Sequence, residues 1–317
     1  MTNRSLTVVF AAFVGSLPMM PAWAGADALD PAKLRLASAN AVVYDIAAQR
    51  RLYAKAADEV TPIASLTKLM TAMVVLDARQ PMDEALEIET DDFDFLKGSR
   101  SRLRMGSTLS RREMLRLALM SSENRAASSL ARHYPGGMVA AVAAMNRKAI
   151  ALGMTHTHYA DPTGLSADNV SSANDLAMLV QLAAQYPTIR EYSTTPAHFV
   201  EVQPTGHWLG FNNSNALVKN QSWDIQVQKT GYIREAGRCL VMLANIASRP
   251  VVIVLLDSSG KYTRLGDAQR VKHWVETGEA LALPQTGARH KGTFTPRGKL
   301  AAKATVRGST FHRVRRD

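Results

Sequence analysis

The sequence predicts an α+β fold, because its helix-like and strand-like segments fall into separate blocks along the chain. Two strand-like segments within residues 40–60 come first, and a block of segments with helical periodicity follows. Several consecutive strand-like segments begin near residue 197. This order predicts an antiparallel sheet that joins strands distant in sequence, with a helical sub-domain packed beside it. We expect a cleft at their junction, where functional sites tend to form.

The helical segments have the apolar periodicity of amphipathic helices. They cover residues 65–77, 111–120, 124–153, 174–186 and 263–277. Ser110 is expected to cap the second segment, and either Ser172 or Asn174 the fourth. Gly153 ends the third segment with a typical stop signal. The later strand-like segments alternate or run apolar over residues 197–202, 224–233, 237–246 and 249–259.

The first 24 residues have the pattern of a secretory signal peptide. A short positive start, "MTNR", precedes the apolar run "SLTVVFAAFVGSL", and "AWA" marks a cleavage site before Gly25. The apolar run is too short for a spanning helix with these flanks. The single cysteine, Cys239, excludes an internal disulfide framework, and the apolar run "GRCLVMLANI" around it indicates a packed core thiol.

The formal net charge of +11 is concentrated at the C-terminal end. From residue 286 onward nine lysines and arginines accompany one acid, so this stretch carries +8 of the total. Because apolar residues are few there, we expect residues 283–317 to form a disordered basic tail. Nucleic-acid binding needs a basic patch on the folded body, which this distribution does not favour. The tail is either solvated without a partner or held electrostatically by anionic envelope polymers.

Three short motifs occur in an order and setting that suit nucleophilic catalysis. Ser65 and Lys68 form an S-x-x-K pattern at a helix start, where backbone N–H groups favour negative charge. Ser122-Glu-Asn124 follows a helix, and Lys229-Thr-Gly231 ends the strand "DIQVQ". An S-x-x-K match alone is weak, since Ser258-Ser-Gly-Lys261 repeats it in a turn. Ser65 is therefore either an N-cap or an activated nucleophile, and the three motifs together favour the nucleophile.

The three motifs together are typical of penicillin-binding proteins and class A β-lactamases. Over about residues 35–280 the chain resembles the low-molecular-mass penicillin-binding proteins, serine D,D-peptidases of the D-alanyl-D-alanine carboxypeptidase family. The segments "PIASLTKLMTAMVVLD", "MSSENRAASSLARHYPGG" and "QKTGYI" carry this resemblance. Within the family, "SSENRAA" and "STTPAH" look closest to the penicillin-binding protein 7 type, the D-alanyl-D-alanine endopeptidases of the periplasm. The resemblance implies a β-lactamase/transpeptidase-like domain over residues 25–282, with the active-site cleft between sheet and helical sub-domain.

The same resemblance assigns a role to each motif residue. It implies that Ser65 is the acylated nucleophile, Lys68 its general base and Ser122 the proton relay to the leaving amine. The substrate would be bound by Asn124, Lys229, Thr230 and Gly231. The backbone N–H groups of Ser65 and Tyr232 would form the oxyanion hole. No metal or other cofactor is implied. The expected partners are peptidoglycan stem peptides and β-lactam antibiotics, in the periplasm.

The resemblance favours a D,D-endopeptidase that cleaves D-alanyl-meso-diaminopimelate cross-links, and it leaves other functions open. A D-alanyl-D-alanine carboxypeptidase that trims pentapeptide stems would need the same motifs. A class A β-lactamase is disfavoured because no E-x-x-x-N pattern precedes Lys229 after the second motif. A non-catalytic wall-binding adaptor is disfavoured because every catalytic position matches. His156-Thr-His158 suggests surface residues rather than a metal site, since no third ligand follows at a defined spacing.

Overall fold

A computed structural model describes residues 29–282. The predicted signal peptide (1–24) and basic tail (283–317) lie outside the described residues. The described α-helices are α1 (Lys68–Asp77), α2 (Arg111–Met120), α3 (Asn124–Arg132), α4 (Gly137–Ala151), α5 (Ala173–Ala183), α6 (Pro187–Ser193) and α7 (Thr263–Thr277). The strands are β1 (Asn40–Asp45), β2 (Arg50–Lys55), β3 (Thr61–Pro62), β4 (Ala85–Glu87), β5 (Thr108–Ser110), β6 (Val170–Ser171), β7 (Ala197–Val202), β8 (His207–Asn212), β9 (Asp224–Ile233), β10 (Gly237–Ile246) and β11 (Arg249–Ser258).

The main sheet has five antiparallel strands in the order β2-β1-β11-β10-β9. It joins the first strands of the described chain to the last, since Val42 of β1 lies opposite Val254 of β11. This confirms the predicted α+β architecture. Strand β9, which carries the Lys229-Thr230-Gly231 motif, is an edge strand, so one side of its backbone is free of strand pairing within the described residues.

The main sheet is buried on both faces. Alternate residues of β1 and β11 enter two separate apolar cores, because successive side chains of a strand point to opposite faces. On one face Val43 and Ile253 pack with Trp274 of α7. On the other face Val42 and Val254 join the core that contains the helical sub-domain. This explains why β10 and β11 read as continuous apolar runs rather than alternating ones.

Several predicted boundaries were wrong for local reasons. The segment 124–153 is two helices, because Gly136 has φ +86° and interrupts the helical backbone between α3 and α4. The predicted strand 197–202 leaves the main sheet and pairs with β8, which the sequence did not reveal, in a separate hairpin. Ser110 and Ser172 are the N-caps, accepting hydrogen bonds from backbone N–H groups at 3.2 and 3.1 Å. Between residues 29 and 282 no helix is long and apolar enough to cross a membrane.

Candidate active site

Four elements bring the three sequence motifs together. Ser65 lies in a 3-10 turn, Ala64–Thr67, that leads directly into α1. Ser122 occupies the turn between α2 and α3 with φ +63°, a backbone conformation that is uncommon for non-glycine residues. Asn124 is the first residue of α3, and the third motif lies on β9. The motif residues meet where the helical sub-domain faces the edge of the sheet.

Ser65 is not a helix N-cap. The 3-10 turn begins after Ile63 and has no side-chain cap, and α1 starts three residues beyond Ser65. The Ser65 hydroxyl instead lies 2.9 Å from Lys68 Nζ. The predicted helix start at Ser65 was therefore early by one turn, and of the two interpretations of this serine the capping one is wrong.

The Lys68 amine is surrounded by three oxygen atoms. Besides Ser65 Oγ, it contacts Asn124 Oδ1 at 2.7 Å and the Thr163 carbonyl oxygen at 2.6 Å. The last two oxygens only accept hydrogen bonds, and Asn124 is held in this orientation because its Nδ2 donates to Ser99 Oγ. A neutral amine has two N–H donors for these acceptors and one lone pair left for the Ser65 hydroxyl proton. The geometry therefore accommodates a neutral lysine that acts as a base toward Ser65.

Burial favours this neutral form. Lys68 is 1% exposed, and desolvation lowers its pKa from 10.5 to about 7. The carboxylates of Asp161, Glu123 and Asp94 oppose this shift and keep the pKa from falling further. A lysine with a pKa near neutrality is a suitable general base at physiological pH.

The second lysine of the site, Lys229, is also buried. Its Nζ donates to Ser122 Oγ and to the Thr230 carbonyl oxygen, both at 2.9 Å. Burial, together with the positive charges of Lys68 and Arg264, holds the pKa of Lys229 well below its ordinary value. Because a nearby anion reverses such a shift, this position suits the binding of a carboxylate. The Thr230 hydroxyl lies beside it and donates to Ser214 Oγ at 2.7 Å.

Gly231 allows the turn that carries Ser65 to pack against β9, a contact that the sequence did not indicate. A Cβ at this position would lie 2.9 Å from the Ile63 carbonyl oxygen and 3.3 Å from the Ser65 backbone nitrogen. The absent side chain thus lets the Ser65 turn press against β9, next to Tyr232. The Lys229-Thr230-Gly231 motif lies inside β9, two residues before its end, rather than at the end of a strand.

Residues 160–169 form a loop that supports Ser65 and Lys68, and the sequence motifs did not predict this role. Asp161 accepts hydrogen bonds from the backbone N–H groups of Thr163, Gly164 and Ser166 at 2.6 to 2.8 Å. A Cβ on Gly164 would lie 1.9 Å from the Ala64 carbonyl oxygen, so the loop packs directly against the turn that carries Ser65. The segment "DPTG" predicts a turn. A backbone carbonyl group that accepts a hydrogen bond from a lysine cannot be recognised from the sequence, because every residue has one.

Arg264, at the start of α7, was also missed. It is 9% exposed, and among the described residues its Nε and Nη1 have no hydrogen-bond partner. After burial and the charge of Lys68, the positive charge of Arg264 contributes to lowering the pKa of Lys229. The motif order offers no signal for Arg264, because it lies more than 30 positions after Lys229.

The remaining candidates lie outside this site. Ser258 is the last residue of β11 rather than part of a turn, and its buried hydroxyl lies 2.6 Å from Ser38 Oγ. Lys261, its partner in the second S-x-x-K match, is exposed. His156 and His158 are exposed, and within residues 29–282 no three potential metal-binding side chains form a group. Cys239 is fully buried, as predicted.

The chain is similar to known proteins over most of its length. Residues 27–260 match the family described as D-alanyl-D-alanine carboxypeptidase. The chain is 52% identical to a D-alanyl-D-alanine endopeptidase of Pseudomonas aeruginosa, over 80% of this chain and 82% of that protein. It is 47% identical to a D-alanyl-D-alanine endopeptidase of Escherichia coli, over 81% of this chain and 83% of that protein. The crystal structure of a Streptomyces DD-transpeptidase has a TM-score of 0.71 and 28% identity, covering 77% of this chain and 98% of that one. The chain belongs to the D-alanyl-D-alanine carboxypeptidase family of peptidases.

Proposed function

We propose that this chain is a serine D,D-endopeptidase that hydrolyses D-alanyl-meso-diaminopimelate cross-links of peptidoglycan through an acyl-enzyme on Ser65. The observation that carries this proposal is the buried Lys68 amine, which lies 2.9 Å from Ser65 Oγ. A serine hydroxyl is a weak nucleophile, and an adjacent neutral amine is one of the known ways to activate it.

In the proposed acylation, Lys68 takes the Ser65 proton while Ser65 Oγ attacks the carbonyl carbon of the D-alanine that is joined to diaminopimelate. The negative charge that forms on the carbonyl oxygen is stabilised by the backbone N–H groups of Ser65 and Tyr232. When the amide C–N bond breaks, Ser122 gives its hydroxyl proton to the leaving amine and receives in its place the proton that Lys68 took from Ser65. Water then hydrolyses the ester and regenerates Ser65.

The leaving residue is held by its free carboxylate. We propose that Lys229 and Thr230 bind this group and that Asn124 orients the substrate amide. Lys229 becomes fully protonated as the carboxylate arrives, since a close opposite charge favours the ammonium form. Its contact with Ser122 Oγ at 2.9 Å links substrate binding to the residue that relays the proton.

The endopeptidase and carboxypeptidase reactions share this chemistry. In a cross-link, the D-centre of diaminopimelate keeps a carboxylate beside the cleaved amide, so the same pocket binds both kinds of leaving residue. The endopeptidase assignment is supported by relatives with that name at 52% and 47% identity. The alternative is a D-alanyl-D-alanine carboxypeptidase, which is the description of the family as a whole.

We also propose that the protein acts in the periplasm after removal of residues 1–24 and that β-lactams acylate Ser65. The basic residues after 286 would hold it loosely on anionic envelope polymers, because clustered charge attracts such surfaces. Full-length protein should co-sediment with cell walls at low salt and be released at high salt. If a chain that ends at residue 282 sediments equally, the tail has no such role.

The function is tested by digestion of two purified substrates, cross-linked muropeptide dimers and uncross-linked pentapeptides. An endopeptidase converts the dimers to monomers, which chromatography with mass detection resolves. Ser65→Ala should abolish this conversion. Release of free D-alanine from pentapeptides, with the dimers left intact, would establish the carboxypeptidase instead.

A further inference from the structure

Two large aromatic side chains lie exposed on the outer face of the β7–β8 hairpin. Phe199 is 66% exposed and Trp208 is 65% exposed. Phe199 lies opposite Gly210, and Trp208 lies opposite Glu201, so both aromatic side chains are on one face. The other face supplies the core contacts of the hairpin through Val200, Val202 and Phe211. Phe199 lies over Gly210 across the hairpin, yet most of its side chain and of Trp208 stays open to solvent.

Trp208 stands between two adjoining cavities. One, of about 720 Å³, lies between the loop that precedes β5 and the β7–β8 turn. The other, of about 350 Å³, shares Gln203 and Trp208 with the first and continues past Phe199. Both volumes fall within the usual range of ligand clefts. We name the two together the aromatic groove and define it by Arg102, Arg104, Met105, Phe199, Gln203 and Trp208.

Both chain segments that line the aromatic groove lead, within a few residues, to contacts with the candidate active site. The loop segment is preceded in the chain by Ser99, whose Oγ accepts a hydrogen bond from Asn124 Nδ2 at 2.9 Å. The hairpin segment continues from β8 to Ser214, which accepts a hydrogen bond from the Thr230 hydroxyl at 2.7 Å. The two chain segments that line the aromatic groove therefore also supply residues that are hydrogen-bonded to the site motifs.

We infer that the aromatic groove binds the glycan strand of peptidoglycan, an inference that rests on the proposed function. A pyranose ring has a C–H face that packs against an aromatic ring, and its hydroxyl and acetamido groups need hydrogen-bond partners at the edge. Trp208 and Phe199 offer such faces, and Arg104 and Gln203 place polar groups beside them.

The stem peptide fits the aromatic groove less well than the glycan. Its side chains are carboxylates, amines and alanine methyl groups, none of which is large enough to cover an exposed indole. Two cavities in succession also suit an extended polymer better than a compact ligand. An exposed apolar patch with a polar rim is typical of a binding surface. Holding the glycan there keeps the attached stem close to Ser65 and raises its effective concentration.

The test compares cross-linked dimers that carry their disaccharides with the same dimers after an amidase has removed the sugars. In Trp208→Ala and Phe199→Ala, kcat/KM for the sugar-bearing dimers should fall about tenfold because KM rises. This is the size of effect expected when a central aromatic contact is lost. The value for sugar-free dimers and the rate of penicillin acylation should stay at the wild-type level. Tyr262→Ala is the matched control, since Tyr262 is 66% exposed at the start of α7.

Two results would overturn the inference. One is an equal loss on both dimers, and the other is unchanged kcat/KM on the sugar-bearing dimers. Calorimetric titration with peptide-free glycan strands separates this inference from the proposed function, because it needs no cleavage. Binding by the wild-type chain that weakens in Trp208→Ala supports the groove even if neither dimer is cleaved. Equal binding by wild type and variant, or none by either, contradicts it.

Discussion

The rate at which penicillin acylates Ser65 should rise with pH around a midpoint near 7. Only the neutral Lys68 amine can accept the Ser65 proton, and burial lowers its pKa to about 7. At pH 7 an unshifted lysine would be neutral in about one molecule in 3,000, whereas a pKa near 7 makes about half of the molecules neutral. The shift corresponds to about 5 kcal/mol between the two protonation states.

The perturbation that isolates this effect is Lys68→Arg. A guanidinium occupies a similar position but stays protonated throughout the accessible pH range, so it cannot act as the base. Acylation should slow by about 10²- to 10⁴-fold, the usual contribution of a general base. Lys148→Arg is the matched control, because Lys148 pairs with Asp77 on the surface at 2.7 Å.

The assay follows covalent labelling by a fluorescent penicillin in rapid-quench experiments from pH 5 to pH 9 at constant ionic strength. For the wild type, the rate at pH 5 should be about 1% of its plateau, because protonation removes the base tenfold per pH unit. A wild-type rate that does not change between pH 5 and pH 9 would refute the reasoning. So would a Lys68→Arg variant that keeps the wild-type rate and pH profile.

Three further predictions concern single side chains of the site. Because the folded-state pKa of Lys68 lies below its unfolded value, the unfolded state binds more protons above pH 7 and stability rises with pH. In urea titrations, the free energy of unfolding of the wild type should therefore rise by about 2 kcal/mol relative to that of Lys68→Met between pH 7 and pH 9. A difference between the two proteins that does not change with pH would contradict this prediction. Gly164→Ala should destabilise the fold by about 3 kcal/mol or more through its backbone clash, whereas Gly278→Ala, with a similar φ and open space, should cost about 1 kcal/mol. Equal melting temperatures for the two glycine variants would exclude the clash. Ser122→Ala should slow acylation about 10²-fold, and Ser121→Ala, whose hydroxyl only donates to a backbone carbonyl, should not; equal rates in the two serine variants would remove the proton relay.

The strands of the main sheet could be predicted because each strand has its own apolar pattern within a short segment. The runs "CLVMLANI" and "VVIVLLD" are long, apolar and bounded by turns, which leaves a buried strand as the simplest interpretation. Strand β8 could not be predicted, because its outer face carries Trp208 and Gly210 where a polar alternation is expected. Its pairing with β7 depends on tertiary contacts, and neither segment predicts this pairing by itself.

Some contacts of the candidate site could likewise be predicted from the sequence, and others could not. Ser65 and Lys68 are one turn apart, so their 2.9 Å contact follows from local geometry. The partners of Lys68 come from elsewhere, and one of them is the backbone carbonyl of Thr163, which any residue type would supply. Arg264, whose positive charge contributes to lowering the pKa of Lys229, lies at the start of α7, and α7 packs against the sheet. Side-chain motifs are visible in a sequence, whereas backbone ligands and distant charges are not.

The central claim is that Lys68 activates Ser65 as the acylated nucleophile. It is tested most directly by mass spectrometry of tryptic peptides after incubation with penicillin. The predicted adduct lies on the peptide of residues 56–68, at Ser65, and persists in Ser258→Ala, the other S-x-x-K serine. An adduct on any other residue, or covalent labelling that survives Ser65→Ala, would contradict the account.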